Sequence, residues 1–436
     1  MKNKSKEKKL HIKTSFTAGK ITNYSGALPA YKFMKKLGLV ELLGNLSLSL
    51  GQNAKYSTGK LLSLVILGIV SGLNRIAKIE SFSRDPLIQE MLSIRDKIDE
   101  DTIANRFKKF GMKQTNELME MTGKMSLKVR KKLGEQGGDI LDLDSTVRTV
   151  YGNQEGTGKG YNPHKKGARS YHPLMGFLNS TRECLLSWLR PGDAYTSNNA
   201  PEFMKQIFSM LGTSISLLVR GDSGFFDNQL IKVIEARRHT AYIIKVKMKN
   251  LTKLLSGKDW EKIPFMAGWE MTEFYHKSAG WQKSRKFVAL RRKTKETKEG
   301  RLFTHIEYDY FCYVTNINDS PLLIHKMYGD RGTCENWIEA VKNQMFAGSI
   351  LTDNFWANEA FWMMSVIAYN VSLWMRVLTD EKSWQEEPNT FRSWFTQLAG
   401  KMVHSGRQVY LKMYEAYHYK ERWRKIEDRV DNLQFA

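Results

Sequence analysis

Apolar positions in the first third of the chain recur at helical spacing. ALPAYKFMKKLGLVELLGNL, TGKLLSLVILGIVSGL and IESFSRDPLIQEML follow this pattern and predict helices. A further helix is predicted over TIANRFKKFGMKQTNELMEMTGKM, with Asp101 or Thr102 as its cap. DEDTIANRFKKFG has the outline of a helix-turn-helix with Arg106, Lys108 and Lys109 exposed, and a plain helical bundle fits the same pattern. The pattern changes at Gly137–Gly138. GGDILDLDSTV reads as a buried strand ending in acids, and LMGFLNS and CLLSWLR as a hairpin pair. SNNAPEFMKQIFSML is a capped helix from Ser197, ISLLVRGDSGFF a strand, NQLIKVIEARR a helix and TAYIIKVK a strand. The order β-β-β-α-β-α-β predicts a mixed sheet with helices on its faces. Residues 251–324 change again, to aromatic alternating runs such as WEMTEFYH, KFVALRRK and HIEYDYFCYVT, and predict a β-rich insertion. Helices follow over 330–346 and 355–377, and the basic tail to Ala436 reads as helical.

The expected architecture is an α/β core interrupted by a β-rich insertion, with helical regions at either end. Its boundaries are a basic disordered arm over 1–24, a helical N-terminal DNA-binding domain over 25–136, a first part of the core over 137–250 and the insertion over 251–324. The second part of the core covers 325–380 and a helical C-terminal region 381–436. The run FWANEAFWMMSVIAYNVSLWM could pass for a membrane span, but Asn358, Glu359 and Asn370 inside it favour a buried core helix.

Composition is that of a globular chain of 436 residues, 42% hydrophobic and 26% charged. The charge is not ordinary: the formal excess of +23 suits a polyanionic partner, nucleic acid first. Cys184, Cys312 and Cys334 are too few and too scattered for a disulfide framework or a zinc site, which points to a reducing, cytosolic setting. No apolar signal segment follows the basic N-terminus. GTGKG at 156–160 lacks the spacing of a phosphate-binding P-loop.

Candidate chemistry begins with YGDRGTCENWIEAVKNQ. On a helix, Tyr328, Arg331, Glu335 and Lys342 fall within roughly a 60° arc at about 100° per residue. Cys334, Trp337, Ile338, Val341 and Met345 form an apolar stripe beside them. A solvated face with an Arg331–Glu335 ion pair would explain this helix in isolation. The wider pattern adds Asp144 and Asp222, each closing a predicted buried strand, where open α/β sheets place their sites. Carboxylates gathered together repel one another unless a cation is present, and hard oxygen ligands suit Mg²⁺ or Mn²⁺.

The succession Asp144, Asp222, Glu335 on this element order resembles the DDE transposases of bacterial insertion sequences. The Tyr328, Arg331, Glu335, Lys342 spacing is similar to the Y-R-E-K signature of one group of them, VRGDSGFF to the segment around their second acid and LDLDSTV to that around the first. The resemblance covers roughly residues 137–380. It implies a ribonuclease H-like core and a metal site at Asp144, Asp222 and Glu335 for two Mg²⁺ ions, with Mn²⁺ as a substitute. It also implies phosphate contacts from Arg331, Lys342 and Tyr328. The implied reaction is hydrolysis at transposon ends followed by transfer of the 3′-hydroxyls into target DNA. Terminal inverted repeats and target duplex are then the partners, a homodimer holds two ends together, and no membrane is involved. The location is the bacterial cytosol, on the nucleoid. A nuclease of the same fold that cuts without joining and an inactive DNA-binding relative stay open as alternatives.

Lesser candidates have plainer readings. GYNPHKKGARSYHP is expected as a loop beside the site, with Lys165, Lys166 and Arg169 toward DNA. His164 and His172 lack ligand spacing. Asp142 shares a strand face with Asp144 and is taken as a structural or supporting acid, Asp139 and Asp227 as solvated or capping residues. Trp269 and Trp281 belong to the insertion, where the resemblance implies an aromatic that stacks on a flipped base, without saying which.

Overall fold

The computed structural model describes residues 12–51, 54–134, 137–163, 165–299, 303–348 and 352–435. The start of the expected arm and His164 lie outside the described residues. Nine strands form the central sheet: β1 (Gly138–Ser145), β2 (Leu174–Leu178), β3 (Cys184–Trp188), β4 (Ser216–Gly221), β5 (Thr240–Lys245), β6 (Glu261–Lys262), β7 (Trp269–His276), β8 (Arg285–Glu299) and β9 (Phe303–Thr315). Their spatial order is β6-β7-β8-β9-β5-β4-β1-β2-β3. β1, β4 and β5 are parallel neighbours, while β2 runs antiparallel to β1 and to β3.

The sheet is covered on both faces, as its apolar strands require. Alternation along β2 separates the two layers. A Cβ at Gly176 would point at Ile207 and Phe203 of helix Ala200–Leu211. Its neighbour Phe177 meets Trp337 and Tyr369. Tyr369 belongs to Phe355–Thr379, the apolar helix whose membrane or core role the sequence weighed. This helix packs against Thr58–Val70 and Met112–Leu133. Its polar groups are matched within the protein: Asn370 accepts from the Cys184 backbone N–H at 3.0 Å and donates to the Cys184 carbonyl at 2.8 Å. Those bonds satisfy part of the otherwise open edge of β3. It is the central helix of the core.

Several expectations are corrected here. The N-terminal segments are helical, but three of the four predicted helices are each broken in two, at Gly38, before Pro86 and before Met112. The third pair starts after Asp99 rather than at Asp101 or Thr102, and all share one hydrophobic core with the sheet. Arg106, expected on an exposed recognition surface, is 7% exposed and donates to Thr58 Oγ1 and the Tyr56 carbonyl. A single long side chain reaching inward is invisible to periodicity. The aromatic strands of the insertion extend the central sheet, because β9 pairs antiparallel with β5. Part of the expected loop at 160–173 is a strand: Arg169–Tyr171 pairs with Gly158–Lys159 and Arg148–Thr149. The tail is not wholly helical. Gly400–Ser405 and Gln408–Met413 form a hairpin whose turn uses Gly406 at φ 59°, and Ile21–Thr22 adds to its edge. The expected helical structure is found over Pro388–Phe391, continued by the π turn Arg392–Thr396, and over Lys420–Asn432. The turn signal S-G-R lay between two alternating runs that charge had disguised.

Candidate active site

Parallel pairing of β1 with β4 ends at Leu143 opposite Gly221. The next residue on each strand is an acid, so Asp144 and Asp222 leave neighbouring strand ends side by side, at about the 4.8 Å interstrand spacing. Glu335 faces the same space from helix Thr333–Glu339. All three line one cleft of about 1480 Å³.

The backbone positions each acid. Asp222 caps the turn Ser223–Phe225 by accepting from the Gly224 N–H at 2.9 Å. Asp144 Oδ1 accepts from the Ser145 N–H at 2.7 Å, and Oδ2 lies 3.0 Å from Arg331 Nη2. Burial pushes the Asp144 carboxyl up to about 6; Arg331 opposes this, and the charges of Asp222 and Glu335 add to it. Burial disfavours the charge on Arg331 too, but Asp144, Tyr328 and Asp222 outweigh it and hold its pKa up. Arg331 Nη2 also donates to the Leu143 carbonyl at 3.0 Å. The Arg331–Glu335 pair that a lone helix would suggest is not made; Glu335 is exposed to the cleft.

The helix over 330–346 is not uniform. Tyr328 lies in the last turn of helix Pro321–Gly329, Asp330–Gly332 is a tighter turn, Thr333–Glu339 is α and Ala340–Gln344 is a wider π turn. The apolar stripe Cys334, Trp337, Ile338, Val341 and Met345 is buried throughout, which anchors the segment. Lys342, in the π turn, donates to Thr146 Oγ1 at 2.8 Å, two residues beyond Asp144. Burial and nearby Arg148 lower its pKa, with Glu339 opposing. Tyr328 packs on Tyr313 with ring centres 4.6 Å apart. Burial pushes its phenol up to about 12, Arg331 opposing and the acids Asp222, Asp144 and Asp142 adding to the rise.

Among the described residues, no three acid, histidine or cysteine side chains stand close enough to enclose a metal ion. The donor chemistry nevertheless fits a hard divalent cation. Asp144, Asp222 and Glu335 share one cleft, which Asp193 and Glu339 also line, and Asp144 is held in a buried, acid-rich setting that a cation would relieve. At present that positive charge comes from Arg331.

A sequence model of the family described as "Transposase DDE domain group 1" matches residues 4–435, almost the whole chain. The chain belongs to the DDE transposase family. No curated protein gives a significant match. Among solved structures, the transposase is similar to the cryo-EM structure of the piggyBac transposase synaptic complex with hairpin DNA, at 12% identity and a TM-score of 0.49, over 84% of this chain and 78% of that one.

The other singled-out residues of the transposase are distributed as follows. Asp142 is fully buried and engages Arg220 through two 2.7 Å contacts. Asp227 caps helix Asn228–Ala236, and Asp139 accepts from the Ile140 and Ser180 N–H groups. Lys165 and Lys166 are exposed, Lys165 lying over the Tyr151 ring at 4.7 Å. Arg169 is engaged internally, donating to Thr157 Oγ1 and to its carbonyl. His172 lines the cleft, hydrogen-bonded through Nδ1 to the Ala194 carbonyl, with its pKa lowered by burial. Trp281 is buried against Phe226 and Phe287, and Trp269 stacks on Phe311.

Sequence reasoning missed Lys159, Tyr161, Tyr195 and Lys247, which also line the cleft. Lys159 lies in the GTGKG run, whose glycines have a steric purpose. A Cβ at Gly160 would sit 2.1 Å from the Gly192 carbonyl oxygen, and one at Gly158 2.8 Å from the Asp193 nitrogen. The run lets two backbones touch and so holds Lys159 at the cleft. That spacing is a signal for close packing, which the absence of a P-loop concealed.

Proposed function

We propose that this transposase cuts DNA at the ends of its element and joins the freed 3′-hydroxyls to target DNA. The observation that carries the reading is the convergence of Asp144, Asp222 and Glu335 on one cleft, flanked by Arg331 and Lys342 in a strongly basic chain. Asp144, Asp222 and Glu335 would hold Mg²⁺, two ions in the family's manner, with Mn²⁺ as a substitute. When bound, such ions lower the pKa of an attacking water or 3′-hydroxyl and stabilise the leaving oxygen.

The chain's own residues do the rest. Arg331 has a planar fork for a phosphate beside the cleavage point, and Lys342 supplies a point charge. The Tyr328 hydroxyl is a neutral donor for a phosphate, since its phenol stays protonated at neutral pH. Exposed Lys165 and Lys166 add backbone contacts on the flanking lobe. Arg169 supports that lobe through Thr157 rather than reaching out. We assign the chain to the Y-R-E-K group with a ribonuclease H-like core. Its partners are duplex inverted-repeat ends and target duplex, held by a homodimer in the bacterial cytosol without a membrane.

The test is incubation of the full-length protein with linear DNA carrying the native element ends, in Mg²⁺ or Mn²⁺. Nicks mapped to the ends together with joined strand-transfer products support the reading. Nicks without joined products make it a simple nuclease, and end binding without any nick makes it an inactive relative.

A further inference from the structure

A second cavity, of about 610 Å³, adjoins the catalytic cleft and shares Lys342 and Asn343 with it. Its wall also carries Arg75, Glu100 and Arg148. Three cations thus face one acid, and Arg148 and Arg75 lie outside the lining of the catalytic cleft.

Arg148 is the unusual member. It sits just beyond β1, half-buried, and its Nε is shielded from solvent without a hydrogen-bond partner. Among the described residues its guanidinium makes no ion pair. It lies against the backbone at Gly348, where an added Cβ would come within 2.5 Å of Arg148 Nη1. After burial, the positive charge of Arg148 does most to lower the pKa of Lys342, with Glu339 opposing it. Lys342 is met by neutral oxygens, Thr146 Oγ1 at 2.8 Å and the Val147 carbonyl at 3.4 Å. Two partly buried cations therefore stand together with neither held in an ion pair among the described residues, although the charge of Glu339 acts on Lys342 from the cleft side. Such an arrangement costs free energy unless an anion completes it. The Nη edge of a guanidinium, which in Arg148 is not among the buried atoms, is a shape that phosphate oxygens fit.

The position of the cavity narrows the anion. It opens between the π turn that carries Lys342 and Arg75, which precedes helix Ile76–Phe82 of the N-terminal helical region. A strand leaving the cleft past Lys342 would enter it directly. We propose that Arg148, with Lys342 and Arg75, holds a backbone phosphate of a DNA strand as that strand passes from the catalytic cleft onto the helical N-terminal region. The inference rests on the DNA-transposase reading and adds a binding site to it.

The experiment is the salt dependence of duplex DNA binding by full-length wild type, Arg148→Gln, Arg148→Lys and Arg75→Gln, with thermal unfolding of each. Arg148→Gln is expected to weaken binding several-fold at low salt and to reduce the slope of log K against log salt by about one, irrespective of DNA sequence. Arg148→Lys restores most of the slope, and Arg75→Gln moves it the same way as Arg148→Gln. The Tm of Arg148→Gln stays level or rises, because an unpaired buried charge has been removed. An unchanged slope in Arg148→Gln overturns the proposal. So does a loss of binding that tracks a fall in Tm in both Arg148 variants, since that is a structural role. Wild-type protein that binds no DNA, but gains Tm from inorganic phosphate only when Arg148 is present, refutes the nucleic-acid reading and leaves a free-phosphate pocket.

Discussion

Arg331 and Asp144 form a buried ion pair, with Nη2 3.0 Å from Oδ2 and both side chains about nine-tenths shielded. The pair places a side-chain cation against the acid that the family's metal would need. Removing that charge lowers the competition for the carboxylate. Arg331→Gln is therefore expected to bind Mn²⁺ more tightly than wild type in the absence of DNA, read by titration calorimetry. Equal affinities would show that the pair does not guard the site.

Asp142 and Arg220 form a different kind of pair, fully buried and bidentate, with Arg220 also donating to the Met327 carbonyl. Arg220→Leu leaves a buried carboxylate without its partner and is expected to cost about 3–5 kcal/mol in urea unfolding. Asp142→Leu combined with Arg220→Leu should recover much of that. A single variant as stable as wild type would contradict the burial argument.

Glu359 lies inside the core helix, where burial pushes its carboxyl up to about 8, opposed by a backbone hydrogen bond from Leu189. The folded pKa exceeds the unfolded one, near 4.3. The folded state therefore binds the extra proton. The stabilisation is full below the unfolded pKa and is lost as pH rises through the folded one, at about 1.4 kcal/mol per pH unit in between. Glu359→Gln should match wild type near pH 4 and exceed it progressively up to pH 8. A constant difference between the two across that range would refute the assignment.

Gly192 is the tightest backbone approach beside the cleft: a Cβ there would stand 1.8 Å from the Ser170 carbonyl oxygen. Gly192→Ala must displace the small lobe that carries Lys159. We expect loss of end cleavage and a stability cost of about 1–3 kcal/mol. Full cleavage by this variant would show that the lobe's position is not needed.

The sheet and the gathering of acids were legible because strands ending in Asp144 and Asp222 are local patterns, and the spacing around Glu335 fits a helix with one buried stripe. Partner choice was not legible. Glu335 is four residues from Arg331 and seemed its natural mate, yet Arg331 reaches Asp144 instead, a distance of 187 positions in the chain that no local pattern reports. The same limit applies to Arg106, whose charge suggested exposure although Thr58 and the Tyr56 carbonyl receive it indoors. The hairpin over 400–413 was hidden because its strands are half-exposed and basic, so that alternation looked like a charged helix face.

The most direct test of the central claim compares wild type with Glu335→Ala on DNA carrying the native ends, in Mg²⁺ or Mn²⁺. Glu335 is exposed to the cleft, so its loss should leave stability within about 0.5 kcal/mol. We predict metal-dependent nicks at the ends with wild type and none with the equally folded variant. Equal cleavage by both would mean that Glu335 is a surface residue of its helix and that the catalytic centre lies elsewhere.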